Sequence, residues 1–289
     1  MSDLNKSLRR ALQKGAGVIV PGAANALAAR MIERAGFAAV YVTGAGVANS
    51  YLGVPDIGLV TLTELAANVA AMRDVVGVPL IVDADTGFGN AVNVAHTVTV
   101  LERAGANAIQ LEDQDFPKRC GHFAGKTVIA AGEMAQKVKA AVEARRDPDV
   151  LIIARTDAIA CTGLDDALAR AALYAEAGAD LTFVEAPRTR EDMERVTRTL
   201  AVPQVANLVA GGLTPLLPRA ELQRMGFSLV LYANAALQAA MLATQQLLAH
   251  LHERGSLDGA THLLMDFAER QAIVGKPDYD ALEKRYADR

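Results

Sequence analysis

Two acids stand two residues apart in the string "VDADTGFGN": Asp83 and Asp85. On an extended chain they face the same side. Carboxylates held that close repel one another unless a cation lies between them. Glu112, in "LEDQ" at the end of the next apolar run, completes an all-oxygen set. Such a set suits Mg²⁺ or Mn²⁺ and not zinc. Mg²⁺ keeps several of its waters, so the expected arrangement is one carboxylate bound directly and two acting through water.

A second string, "FPKRCGHFAGK" (116–126), places Cys120 among Lys118, Arg119, His122 and Lys126. Cationic neighbours favour the thiolate and lower a thiol pKa from its usual ~8.5. A thiol so poised can give and take protons near neutral pH. The flanking Gly121 and Gly125 suit a loop that opens for a substrate and closes over it. Cys120 and His122 lack the second pair of ligands that a zinc site needs.

These groups need a scaffold. Four segments repeat one pattern, a helix ending in Gly before a short apolar run: "RAGFAAVYV" (34–42), "RAGANAIQL" (103–111), "EAGADLTFV" (176–184) and "RMGFSLVLY" (224–232). Gly36, Gly105, Gly178 and Gly226 fit the left-handed position that ends a helix. Further apolar runs at Val18–Val20, Pro79–Val82, Val150–Ala154 and Pro203–Ala206 bring the strand candidates to eight. Helical spacing fills the intervals, as in Ala26–Ala35, Leu62–Val75, Val92–Ala104, Met134–Ala144, Leu164–Ala177 and Leu237–His250. Thr61 and Glu64 have capping-box spacing. Eight alternations predict an α/β fold, a (β/α)8 TIM barrel over residues 1–255, with a helical extension over 256–289. No GxGxxG follows the first strand, as the rival doubly wound sheet would favour.

In such a barrel chemistry sits at the C-terminal ends of the strands. Polar residues recur there: Thr43 to Gly46, Asp83 and Asp85, Glu112 and Asp113, Arg155, Glu185 and Asn207. Asp56 lies in the loop beyond the second strand. Arg155 is equally open to a structural pairing with Glu185. Cys161 and His96 are expected to be packing residues, and His250, His252 and His262 ordinary groups of the C-terminal helices.

The bulk composition excludes several classes. Hydrophobic residues make up 52% of 289 and aromatics only 4%, which suits one large aliphatic core. A net charge of −4 disfavours nucleic acid. No apolar run approaches the ~20 residues of a membrane span. Two cysteines allow at most one disulfide, and "MSDLNKSLRR" lacks the apolar core of a signal peptide. A cytoplasmic protein is the expectation.

The chain resembles the isocitrate lyase/phosphoenolpyruvate mutase superfamily from about Leu12 to the C-terminal region. The resemblance is carried by "PGAANALAARMIERAGFAAVYVTGAGVA", "PDIGLVTLTE", "DADTGFGNAVNV", "LEDQDFPKRCGHFAGK", "IIARTDA" and "VEAP", with "KRCGH" similar to the lyase signature. It implies that Asp85 binds Mg²⁺ directly (Mn²⁺ substituting), with Asp83 and Glu112 bridged by water. Thr43, Gly44 and Ala45 would hold the carboxylate of a 2-oxo acid, beside Asp56. Arg155 would polarise the oxygen on the substrate's second carbon, and Cys120 would protonate the carbanion left by cleavage. Glu185, His122 and Asn207 would position the leaving acid. Lys118 joins the catalytic candidates, and Gly121 and Thr214 the substrate-binding ones. The family's last barrel helix is exchanged between subunits, so a homotetramer is implied.

Two departures refine the resemblance. Isocitrate lyases carry a long Asn/Ser/Pro-rich stretch after the seventh strand, where this chain has only "ANLVAGGLTPLLP". Phe123 stands where methylisocitrate lyases often have Arg. The sequence therefore looks most similar to 2,3-dimethylmalate lyase-like members. The expected activity is cleavage of a 2-hydroxy dicarboxylate, of 2,3-dimethylmalate or methylisocitrate type, to pyruvate or another 2-oxo acid and a carboxylic acid. The alternatives are an oxaloacetate hydrolase or decarboxylase, a carboxyphosphonoenolpyruvate phosphonomutase, and a non-catalytic 2-oxo-acid-binding protein.

Overall fold

The computed structural model describes residues 1–119, 121 and 125–287. Its chain divides into two compact units, Met1–Ala235 and Ala236–Arg289. In the first, eight parallel strands close into a barrel in sequence order. They are β1 (Val18–Ala23), β2 (Val40–Val42), β3 (Leu80–Asp83), β4 (Ala108–Glu112), β5 (Leu151–Thr156), β6 (Leu181–Val184), β7 (Gln204–Asn207) and β8 (Phe227–Tyr232). All eight coincide with the apolar runs. Those runs are continuous because a parallel strand is covered on both faces; every residue of β2, β3, β4, β5 and β6 is buried.

The helices of this unit are α1 (Ser2–Ala11), α2 (Ala26–Arg34), α3 (Gly44–Val47), α4 (Leu62–Arg73), α5 (Ala91–Ala104), α6 (Ala131–Ala144), α7 (Leu164–Glu176), α8 (Arg190–Thr199) and α9 (Arg219–Met225). Their starts are written into the sequence. Asn25 caps α2, and Thr61, Asn90 and Thr189 form capping boxes on α4, α5 and α8. Gly36, Gly105, Gly178 and Gly226 all have φ between +85° and +112°, a region that glycine enters without Cβ strain.

The apolar mass lies in two layers. Helix residues such as Val69, Met72, Val98 and Met134 pack on the outward side chains of Val40, Val42, Leu80 and Val82. Inside the barrel Ile81, Ile153, Phe183, Val205 and Leu229 meet Leu8 and Leu12 from the N-terminal segment. The polar opening string is thus the start of a helix that plugs the barrel floor. Its Asn5 side chain donates to Asp147 at 2.9 Å and accepts from Asn107 Nδ2 at 2.6 Å.

The second unit is helical: most of α10 (Ala235–Arg254), then α11 (Phe267–Ile273) and α12 (Lys276–Tyr286). No residue of α10 is buried within the chain, and Met241, Leu242 and Leu248 are more than half exposed. Among the described residues no helix is long and apolar enough to cross a membrane. Two sequence expectations are corrected. Cys161 is exposed, not a core residue, because it falls in a short helical turn after β5. His96 is exposed on α5, where the buried side chains are Val94, Thr97, Val98 and Leu101.

Candidate active site

The strand ends bring the acidic candidates to one rim. Asp83 is the last residue of β3 and pairs in register with Gln110; Glu112 ends β4 and pairs with Arg155 of β5. Asp85 follows at φ +48°, a region uncommon for a residue with a Cβ and typical of functional sites when the surroundings enforce it. Its carbonyl accepts the Glu112 N–H at 2.9 Å, which fixes the β3 turn to β4. The start of α3 closes in from the β2 side. A Cβ on Gly44 would fall 3.1 Å from Asp85 Oδ1 and 3.2 Å from Asp83 Oδ2, so glycine permits this approach. The Gly44 N–H donates to Asp83 at 3.4 Å.

Two buried cations face these acids. Lys118 Nζ lies 2.5 Å from Asp56 Oδ1 and 2.7 Å from Asp85 Oδ1. Arg155 lies 3.4 Å from Glu112 Oε2 and 3.4 Å from Glu185 Oε2, over the Phe183 ring. The pairing of Arg155 with Glu185 is thus present. Burial pushes the Asp85 carboxyl up to about 6, with Lys118 pulling it down and Asp83 adding to the rise. Burial likewise drives Glu112 well above the usual carboxylate range, against the pull of Arg155. Lys118 is held well above its ordinary value, because the surrounding acids outweigh its desolvation.

A cavity of about 30 Å³ lies at this rim, and Gly44, Asp85, Glu112 and Lys118 are not among its lining. Thr43, Ala45, Asp56, Asp83, Gly121, Arg155, Glu185 and Asn207 all line it. Asn207 Nδ2 lies 3.3 Å from Glu185 Oε2. Thr214 does not line the cavity; it is buried in the segment after β7, with its hydroxyl unpartnered. Cys120, His122 and Phe123 lie outside the described residues.

The donors of Asp83, Asp85 and Glu112 are all oxygen, the chemistry that a hard divalent ion takes, and Asp85 is paired with Lys118 here. Among the described residues no three Asp, Glu, His or Cys side chains are gathered tightly enough to hold an ion between them. Oxygen donors spaced beyond direct reach are the set that an ion retaining its waters would use. Glu112 Oε1 is buried without a hydrogen-bond partner, which suits an acceptor for such a water.

Several lining residues escaped the sequence reading. Asn234, just past β8, accepts from the Thr43 hydroxyl at 3.1 Å. It repeats the "AN" that ends β7, and that repetition was its signal. Tyr41 donates to Gln110 at 3.0 Å, and Gln110 donates to Asp83 at 3.3 Å. Polar residues inside otherwise apolar strands mark that chain.

A closed parallel barrel with acids and a buried arginine at its C-terminal rim defines a (β/α)8-barrel enzyme. Residues 8–252 match the family model described as phosphoenolpyruvate phosphomutase. A 2,3-dimethylmalate lyase of Eubacterium barkeri is 44% identical over 280 residues, 97% of each chain. The structure of an oxaloacetate acetylhydrolase bound to 3,3-difluorooxalacetate superposes with TM-score 0.91 at 32% identity, covering 98% of this chain and 97% of that one. A phosphonopyruvate hydrolase solved with oxalate and Mg²⁺ gives 0.88 at 32%, covering 98% and 99%. The chain belongs to the phosphoenolpyruvate phosphomutase family, within the isocitrate lyase/phosphoenolpyruvate mutase superfamily.

Proposed function

We propose that the protein is a Mg²⁺-dependent carbon–carbon lyase that cleaves a 2-hydroxy dicarboxylate of 2,3-dimethylmalate or methylisocitrate type. The observation that carries this reading is the meeting of Asp83, Asp85 and Glu112 with Arg155 at adjacent strand ends. The relative named for 2,3-dimethylmalate supports the substrate class, and the hydrolase solved with Mg²⁺ supports the ion.

Asp85 would hold Mg²⁺ directly, and Asp83 and Glu112 through water. Bound there, the ion supplies Lewis-acid polarisation of the substrate's oxygens. Thr43, Gly44 and Ala45 cradle the carboxylate next to the hydroxyl-bearing carbon. Arg155 donates to the oxygen on that carbon and stabilises the charge it gathers. Loss of the hydroxyl proton drives cleavage of the bond between the second and third carbons. The second carbon becomes a ketone, and the electron pair passes to the third carbon beside its carboxylate. Cys120 delivers its thiol proton to that carbon, while Glu185, His122 and Asn207 position the departing acid. Gly121, which lines the cavity, would form part of the wall that excludes water from the reaction.

Steady-state assays of the purified protein test this reading against its rivals. With Mg²⁺, 2,3-dimethylmalate or methylisocitrate should yield a 2-oxo acid, and chelation should abolish turnover until Mg²⁺ or Mn²⁺ is restored. Turnover of oxaloacetate alone would favour the hydrolase reading, and full turnover in metal-free protein would sink the metal site. A homotetramer completes the proposal. The exposed apolar side chains of α10 would be covered by exchange of this helix between subunits. A monomer by light scattering at micromolar concentration contradicts that part.

A further inference from the structure

Behind Arg155 stands a carboxylate that the reaction above does not use. Asp157 is fully buried two residues beyond Arg155. Its Oδ2 accepts from Arg155 Nε at 2.9 Å, and its Oδ1 accepts from Arg155 Nη2 at 3.1 Å. The same Oδ1 lies 2.7 Å from the ammonium of Lys126, which is also buried. Lys126 Nζ donates a further hydrogen bond to the carbonyl of Gly121. One carboxylate thus holds both the guanidinium and, through Lys126, the residue next to Cys120 in the chain.

Gly121 is pressed onto this assembly. A Cβ at that position would fall 2.3 Å from Arg155 Nη2 and 2.9 Å from Glu185 Cδ. Only a bare backbone reaches so close. The hub is anchored from behind as well. The Asp157 N–H donates to Asp113 Oδ1 at 2.9 Å. Asp113 Oδ2 in turn accepts from the hydroxyls of Thr156 and Tyr174, each at 2.7 Å, and from Arg170 at 3.3 Å. A structural pair would have no need of the loop carbonyl; here Lys126 donates to it as well as to Asp157.

We propose that Lys126 and Asp157 are positioning residues, an ion pair that ties the Gly121 carbonyl to Arg155. This rests on the lyase reading, in which Arg155 receives charge at one carbon while Cys120 protonates the next. Both must be placed within one frame, because small misplacements of reacting groups cost large factors in rate.

The test uses full-length Lys126→Met and Lys126→Arg. On 2,3-dimethylmalate with Mg²⁺, Lys126→Met should lose about 10–100-fold in kcat with KM changed by less than about threefold. Lys126→Arg, which keeps a cation and donors at this position, should recover most of the loss. A second readout needs no turnover. Iodoacetamide labelling of Cys120 is followed by peptide mapping, each variant being compared with itself with and without oxalate, since the Cys161 thiol touches the Lys126 and Asp157 carbonyls. Saturating oxalate with Mg²⁺ should slow labelling of Cys120 in the wild type and fail to do so in Lys126→Met. Should Lys126→Met not fold, the charge-balanced Lys126→Met/Asp157→Asn double variant replaces it, with the same loss of protection expected. Wild-type kcat with wild-type oxalate protection in either variant overturns the proposal. So does a wild type that oxalate does not protect, or a Lys126→Arg no better than Lys126→Met. A wild type that oxalate protects but that does not turn over 2,3-dimethylmalate defeats the lyase reading and leaves the tether standing.

Discussion

The two ends of the barrel bury polar groups in opposite ways. At the floor, Asn107 accepts from the Leu80 N–H at 2.8 Å and from Arg73 at 3.3 Å, and donates to Asn5 at 2.6 Å. Asn5 passes the chain on to Asp147. Nearby, Asp180 is shared by Arg9 and Arg145 at 2.9 and 2.7 Å. Both Asn side chains have their oxygen and nitrogen engaged. At the rim, by contrast, Asp83 and Glu112 are buried near Asp85, and Glu112 Oε1 has no hydrogen-bond partner. A satisfied network stabilises; an unsatisfied one waits for a ligand and costs stability until it comes. The same strands therefore carry a satisfied network at one end and, on the function proposed above, chemistry at the other.

The contrast can be broken most sharply at Asp85. Asp85→Asn should cut kcat/KM by roughly 10³ or more, the several kcal/mol that a Lewis acid supplies. Asn tolerates a φ of +48°, and one of the rim charges disappears. The melting temperature should change little, because Lys118, which loses Asp85 as a partner, keeps Asp56 at 2.5 Å. A large fall in melting temperature, measured alongside the assay, would mean that the rim is structural.

Cys120→Ala should lower the cleavage rate by roughly 10²–10⁴ with folding and Mg²⁺ binding unchanged. Cys120→Ser should be nearly as poor, because a hydroxyl is a far weaker acid than a thiol. Wild-type turnover by Cys120→Ser would exclude the thiol as proton donor and move the oxaloacetate reaction to the front.

At the floor the expected effects change in kind. Leu8→Ala removes a side chain that is 2% exposed among the barrel-interior residues and should cost about 2–5 kcal/mol of stability. Activity per folded molecule should stay near wild type. Asn5→Ala leaves Asn107 Nδ2 and Asp147 short of a partner and should cost about 1–3 kcal/mol, read from denaturant midpoints. A floor variant that altered kcat while leaving stability alone would dissolve the contrast.

The sequence carried the barrel and most of the rim, for a physical reason. Strand runs, caps and left-handed glycines are local. Thr61 reads Glu64, and Gly105 ends α5, whatever lies across the barrel. Asp83, Glu112, Arg155, Glu185 and Asn207 were legible because each ends or directly follows an apolar run, and every parallel strand delivers its end to the same rim. The helix α1 was harder to see. Its polar composition leaves only Leu8 and Asn5 as buried contacts within it.

Other features exist only once distant segments meet. Lys126 and Asp157 are 31 residues apart, and Thr43 and Asn234 are 191 apart. In the sequence Lys126 was one more charge near a thiol. In the fold its ammonium is occupied by Asp157 and by the Gly121 carbonyl. Cys161 went the other way, from expected core to exposed surface, since apolar neighbours in the chain do not fix which way a turn faces. What the sequence determined by itself is therefore the kind of element and the residues at its ends, because backbone preference and side-chain period act over a few residues. Which charges pair, and which carboxylate oxygen is left without a hydrogen-bond partner, only the tertiary structure decided. Those outcomes depend on closing the barrel, which sets the distances between residues that are far apart in the chain.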